Sequence, residues 1–293
     1  MKFWRSFKQV SRREFDARFF LVNLVNVLTW AVAVSVSIHY CVHEPRDGTI
    51  IGKRIWDQNF AQETAFTINP DMWNSRTVLF ALQLGNLLYH AYVGTNDVTH
   101  TAISFHFATN NLLHAMYLVL FVRSVFGWGE LILLLNFVNL FVLYCLHHEY
   151  VGFTHGPVIC GPFAWTIIAL YWNGAMVFAS EMGERAKSLE AIGEFLRWGI
   201  LGLGAFFGIA FKDYTMCSLL AYLCASVAAA QYVMQHSAQM WMSSIAIAAV
   251  LTAIVFGLII KHLWDYRMHR LRKNQEESMQ TCCSQEKQES GVC

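Results

Sequence analysis

Residues 17–40 read ARFFLVNLVNVLTWAVAVSVSIHY, an apolar run that, past Arg18 at its start, is interrupted only by asparagine, serine, threonine and a terminal His-Tyr pair. Crossing the hydrocarbon of a bilayer takes about 20 helical residues, so this run is long enough to span. Lys2, Arg5, Lys8, Arg12, Arg13 and Arg18 flank its start. No small-residue cleavage site follows it, so it reads as an uncleaved first helix rather than a signal peptide. Comparable runs lie at about Trp73–Val93, Ile103–Phe126, Glu130–His147, Pro157–Ser180, Phe195–Phe211, Tyr214–Gln235 and Met240–His262. The expected fold is therefore all-α: a polytopic integral membrane protein of about eight transmembrane helices.

Composition agrees. The chain has 293 residues, 56% hydrophobic and only 14% charged. Soluble domains carry about a quarter charged residues. A formal charge of +1 excludes a global basic field and with it nucleic-acid binding. Of the eight cysteines, seven sit in or beside apolar runs or in the polar tail and Cys41 borders the long loop without a partner there, so they make no disulfide framework. No glycosylation sequon occurs. Gly127-Trp128-Gly129 and Lys212-Asp213 read as breaks between spans, and Asn69-Pro70-Asp71 as a helix start.

Three regions follow. Residues 1–16 are a basic segment with Phe3, Phe7 and Val10 on one face, suited either to an anionic leaflet or to orienting the first span. Residues 17–262 are the membrane domain, with a polar loop at 42–68 that reads as a lid or a tether. Residues 263–293 are a polar tail expected to be disordered, with Cys282-Cys283 open to palmitoylation. Basic residues cluster at both ends of the membrane domain, and an even helix count puts both termini in the cytosol. Arg46, Lys53, Arg54, Arg185, Lys187 and Arg197 oppose that assignment if they lie in loops.

The stretches HYCVHEPRDGTIIGKRIWDQNF at 39–60 and VICGPFAWTIIALYWNGAMV at 158–177 carry tryptophan-centred strings. In them the chain resembles a fungal family of multi-pass membrane proteins catalogued as a domain of unknown function. The resemblance implies an intracellular-membrane protein and no particular reaction. A lesser similarity, to tryptophan-rich sensory proteins of the translocator type, rests on a helix opening with an Asn/Pro turn and on a Pro-x-x-Trp helix.

Polar residues inside spans are costly unless paired or facing a cavity, so they point to function. His106, Asn110 and His114 recur every four residues and form one stripe, with Tyr117 nearby. Asn86 and His90 share a face of the second span, Asn136 and Asn139 lie on the fourth, and Asn23 and Asn26 on the first. Converging faces would enclose a polar pocket. The other reading is interhelical hydrogen bonding with no ligand. Gly161-Pro162 is expected to bend the fifth helix near Trp165, Trp172 and Asn173. Gly204 and Gly208 form a small-residue face, with Ala221, Ala225 and Ala229 as a matching strip. The basic residues near spans, Arg123, Lys212 and Lys261, are read at span ends.

The candidate ligand-binding residues are thus His90, His106, Asn110, His114, Trp165, Trp172 and Asn173. The reading they support is small-molecule binding or transport across an intracellular membrane, the vacuolar one as a guess. Two alternatives stay open. One is a haem- or metal-dependent membrane oxidoreductase using His90, His106, His114 and His147. The other is a non-catalytic membrane organiser acting through the tails. No phosphate loop, dinucleotide fingerprint, nucleophile elbow or zinc-protease motif is present. The partners expected are the lipid bilayer and a small-molecule ligand.

Overall fold

A computed structural model describes residues 17–46, 52–61, 64, 66–67, 73–93, 98–148, 154–182, 186–234 and 238–289. These form nine α-helices and no strand among the described residues. They are α1 (Ala17–Val42), α2 (Ile55–Ala61), α3 (Trp73–Val93), α4 (Val98–Phe121), α5 (Phe126–His147), α6 (Gly161–Met182), α7 (Ala186–Ala210), α8 (Tyr214–Val233) and α9 (Ala238–Glu289). A π-helical turn, His155–Cys160, leads into α6.

The bundle exposes apolar side chains and buries many polar ones within an apolar core. Leu21, Leu28 and Val32 of α1, Leu134, Leu135 and Val138 of α5, and Val250 and Phe256 of α9 are all exposed. Asn26, Gln83, Asn86, His90, Asn110, His114 and Asn136 are buried. Water would favour the reverse; hydrocarbon favours this.

Ring contacts and hydrogen bonds set the directions of the helices. Phe19 lies by His100, and Arg123 donates to the Tyr40 hydroxyl, so α1 and α4 run parallel. His90 lies by His100 and Arg76 by His114, so α3 and α4 are antiparallel. Tyr144, late in α5, reaches Asp213 at the start of α8. Tyr232, at the far end of α8, packs on Trp241 at the start of α9. The start of α1 and the exit of α9 consequently share one end of the bundle.

Among the described residues, five helical segments are long and apolar enough to cross a membrane: Phe19–Val42, Phe126–His147, His155–Ser180, Tyr214–Val233 and Ala238–Lys273. The runs expected near 73–93, 103–126 and 195–211 are helical too, as α3, α4 and α7. They do not meet that standard. In α3 and α4 the reason is visible: Arg76, Gln83, Asn86 and His90, and His106, Asn110, Asn111 and His114, dilute the apolar residues. A polar helix is tolerated where its polar face is turned into the bundle.

Several local expectations shift. The break between α4 and α5 falls at residues 122–125, where Ser124 takes a left-handed φ of 62°; Gly127-Trp128-Gly129 lies inside the first turn of α5. Asn69-Pro70-Asp71 and the amino-terminal segment 1–16 lie outside the described residues. Irregular backbone does precede α6, but one turn ahead of Gly161-Pro162. There the Gly161 N–H donates to the Gly156 carbonyl, five residues back. The tail expected to be disordered is assigned to α9 as far as Glu289. Its glutamines, glutamates and lysines are good helix formers once a membrane helix has nucleated the ladder.

The glycine face is used, with other partners. A Cβ on Gly204 would meet Leu251 of α9 at 2.5 Å, and one on Gly208 would meet Cys217 of α8 at 2.7 Å. Cys217 Sγ also donates to the Gly204 carbonyl (2.9 Å). Ala225 and Ala229 face outward, so the alanine strip is not the matching surface; only Ala221 of the three is buried. Leu251 and Ile254 of α9 fill the space beside the two glycines instead.

The described part of the 42–68 segment packs into the end of the bundle opposite the termini. Ile55, Gln58 and Asn59 of α2 are buried, and Phe66 stacks on Tyr171. The Lys53 N–H donates to the Val122 carbonyl (3.0 Å), Gln58 to Ser124 (2.9 Å), and Gln231 to the Thr64 carbonyl (3.1 Å). Gly52 permits the closest approach: a Cβ there would lie 2.1 Å from Pro45 Cγ and 2.9 Å from the Val122 oxygen. Proline cannot move aside, so Gly52→Ala is expected to cost about 1–3 kcal/mol and to loosen this cap. Trypsin should then cut faster at the exposed Lys53 and Arg54. Unchanged cleavage kinetics in detergent would show that the close approach is dispensable.

Candidate functional site

Helices α4 and α5 meet through asparagine at their midpoints. Asn136 Nδ2 donates to Asn110 Oδ1 (3.0 Å) and reaches Thr166 Oγ1 on α6 (3.3 Å). Thr166 in turn donates to the Pro162 carbonyl (2.8 Å), the helical partner of its own turn. One turn further along α4, His114 meets the guanidinium of Arg76 on α3. Arginine has no acceptor, so His114 Nε2 accepts, and the contact requires the neutral imidazole with its proton on Nδ1. The Arg76 guanidinium also lies over the rings of Trp165 (4.6 Å) and Phe80 (5.3 Å).

These side chains line an internal cavity. Gln83, Asn110, Asn111, Pro162 and Thr166 share its wall with Arg76, His114 and Trp165. Its volume of about 10 Å³ admits one water-sized guest at most. Gln83 Oε1 and Asn111 Nδ2 are buried there without a hydrogen-bond partner. Gln83 Nε2 is satisfied by the Pro157 carbonyl (3.1 Å).

A second cavity of about 20 Å³ lies toward the termini. Asn23 and Asn26 from α1, Asn86 and His90 from α3, and His100 and Ser104 from α4 line it with Thr154. Asn86 donates to Thr154 Oγ1 (2.9 Å), and His90 Nε2 lies 3.0 Å from the same oxygen. Faces of α1, α3 and α4 meet here, but α4 contributes His100 and Ser104 rather than the His106, Asn110 and His114 stripe. The fourth wall comes from the residue ahead of the π-helical turn rather than from α5.

The proposed residues are therefore divided. Asn110, His114 and Trp165 meet at the Arg76 cavity. His90 belongs to the other one. His106 is paired with Asn139, its Nδ1 2.8 Å from Asn139 Oδ1, while Asn139 donates to the His106 carbonyl (3.1 Å). Trp172 is packed against Phe121 (4.7 Å), and its indole N–H has no partner. Asn173 donates to the Phe126 carbonyl and to Glu130 Oε2, both at 2.9 Å, holding the first turn of α5. The last two lie about two turns beyond Trp165, midway along α6, against the α4–α5 junction.

Two arginines escape a reading that puts basic residues at span ends, and a third charged group does more than mark a turn. Arg76 sits inside α3 and is buried. Arg197 is only 1% exposed, donates to the Met240 carbonyl and to Ser243, and lies 5.7 Å from the Phe66 ring. It is not a loop charge, so it drops out of the set opposing cytosolic termini. Asp213 is the third. Its Oδ1 caps α8 by accepting from the Thr215 and Met216 N–H groups (2.9 and 3.0 Å), and its Oδ2 accepts from Tyr144 (2.9 Å) and faces His155. Burial raises the carboxyl, but hydrogen bonds from His155, Met216 and Tyr144, with the charge of His155, outweigh it and bring it down to about 2. A charged residue next to a turn signal was visible in the sequence; its partners were not.

The comparisons with known proteins can be set on this geometry. Residues 191–286 match a fungal protein family of unknown function, DUF1774. The match takes in most of α7, all of α8 and the greater part of α9. It agrees with the fungal resemblance, although the tryptophan-centred strings at 39–60 and 158–177 lie outside it. No curated protein and no solved structure matches the chain, and the translocator-type likeness has no comparison behind it.

The Asn110–Asn136 bond joins two helices at mid-depth. Each single alanine variant is expected to lower stability, and the double variant by less than the sum. Interhelical bonds in membrane proteins couple by about 0.6 kcal/mol, up to about 1.7. A double-mutant cycle in mixed micelles measures this coupling, and a value of zero would leave α4 and α5 held by packing alone.

Proposed function

We propose that the chain is a small-solute binding and transport protein of an intracellular membrane, selective for a solute with an anionic group. The observation that carries this reading is the buried Arg76 guanidinium lining an internal cavity beside amide atoms that lack partners. An arginine buried inside a membrane bundle is costly unless it is paired or faces a cavity. Such a cost is usually met by function, and a guanidinium is suited to carboxylate or phosphate oxygens. His114 adds a group that contacts Arg76 only while neutral, which links occupancy to a proton. Trp165 supplies an aromatic wall.

The cavity admits only a water-sized guest in this conformation. Passage of a larger solute requires α3 and α6 to separate along the Arg76–Trp165 contact. The π-helical turn at the start of α6 supports such a movement, because irregular backbone shifts at less cost than a regular ladder. Both ends of the membrane domain leave the bundle on one side, which supports cytosolic termini.

Proteoliposomes loaded in turn with inorganic phosphate and with a short dicarboxylate test the reading. Arg76→Gln should reduce flux at least tenfold with the melting temperature held within a few degrees. Arg76→Lys should restore part of it. Flux that is absent in the parent protein, or equal in Arg76→Gln, would sink the proposal. A variant that merely unfolds would make the arginine a structural group.

A further inference from the structure

Apart from the Arg76 cavity, three potential metal ligands of different chemistry converge at the end of the bundle nearest the termini. His155 Nε2 lies 3.0 Å from Asp213 Oδ2 and 3.1 Å from Cys160 Sγ, and Cys160 Sγ lies 3.3 Å from the same carboxylate oxygen. The three ligand atoms form a nearly equilateral triangle. Two nitrogen or oxygen ligands at about 2.0–2.1 Å from a tetrahedral zinc ion stand roughly 3.3 Å apart, and a sulfur somewhat more. Small outward adjustments of these side chains therefore reach coordination distances.

Two features of the backbone hold the triangle in place. In an α-helix, residues five apart point in different directions. The π-helical turn, closed by bonds five residues long, brings His155 and Cys160 onto one face. Such turns are rare, less stable than an α-helical ladder, and concentrated at functional sites. On the other side, Asp213 has one oxygen engaged by the α8 cap and presents the other to His155 and Cys160. Tyr144 donates to that second oxygen (2.9 Å), which is the outer-sphere support that ligating carboxylates receive in metal sites.

We propose that His155, Cys160 and Asp213 bind a divalent transition-metal ion of the zinc class, with three protein ligands and a fourth position left for water. Nitrogen, sulfur and oxygen together favour a borderline ion over calcium or magnesium. One thiolate and one carboxylate neutralise the two positive charges, which suits a site at the edge of a low-dielectric bundle. On binding, the Cys160 thiol proton leaves to solvent and metal–sulfur and metal–nitrogen bonds form. His155 coordinates through Nε2 as neutral imidazole, with its proton on Nδ1. No oxidation or reduction is involved. His155 is partly exposed, which leaves the ion a way in.

The test uses full-length protein in detergent, with Cys282, Cys283 and Cys293 replaced by serine to remove tail thiols, treated with chelator and titrated with Co²⁺. One equivalent should produce ligand-field bands and a thiolate-to-cobalt charge-transfer band, and Zn²⁺ should displace it. Cys160→Ser should abolish the charge-transfer band while the protein remains monodisperse. Asp213→Asn keeps a good helix cap and should weaken Co²⁺ binding at least about tenfold. A folded parent protein that shows no charge-transfer band overturns the proposal. So does a band that survives in folded Cys160→Ser. Either result would make the three groups a hydrogen-bonded hub around Asp213.

Discussion

A polar side chain inside hydrocarbon has no water to fall back on, so it must find its partner on another helix. Most of the architecture depends on that constraint. Lipid tails are as apolar as leucine, and apolar contact alone does little to choose one helix neighbour over another. Here the choice is made by specific pairs. Asn110 with Asn136 and His106 with Asn139 set α4 against α5. Arg76 with His114 sets α3 against α4. Asn86 and His90 reach Thr154, and Gln83 reaches the Pro157 carbonyl, so α3 is tied to the start of α6. These bonds define directions and register in a way that a leucine-lined interface would not.

The two ends of the bundle are built differently. At one, α2 and Phe66 close over the helices, with Lys53, Gln58 and Gln231 tying the segment down. At the other, Asp213 gathers Tyr144, His155 and Cys160, and α9 continues outward with every described side chain from Lys261 to Lys273 exposed. The Arg76 cavity lies between. The helices matched to the fungal family, by contrast, include the α7–α8–α9 contact made by Gly204 and Gly208. That part of the bundle is held by close backbone approach, and the cavities are built mainly on the helices before it.

Much of this was legible from spacing. Residues four apart on α4 were bound to share a face, and Asn86 and His90 were bound to share one on α3. The glycine pair was bound to sit where helices approach closely. Other features left a signal that was open to misreading. Arg76 and Arg197 look like end charges in a hydropathy profile because Arg76 lies in the first turn of its helix and Arg197 near the start of the apolar run 195–211, although that is mid-helix in α7. The π-helical turn looks like a proline bend because Gly161-Pro162 follows it directly. Asp213 looks like one half of a charged turn. In each case the residue type was plain and its surroundings were not.

Hydropathy and helical period by themselves determined that the chain is an all-helical membrane protein, where its long helices fall, and which face of each is polar. Only the tertiary structure decided that the polar stripe of α4 divides among separate partners, that Trp172 and Asn173 stand apart from the histidines, and that Arg76, His155, Cys160 and Asp213 belong with the candidate sites. The physical reason is that a sequence period fixes the direction in which a side chain leaves its own helix. What it meets there depends on how the other helices cross, and that is settled by contacts between residues far apart in the chain.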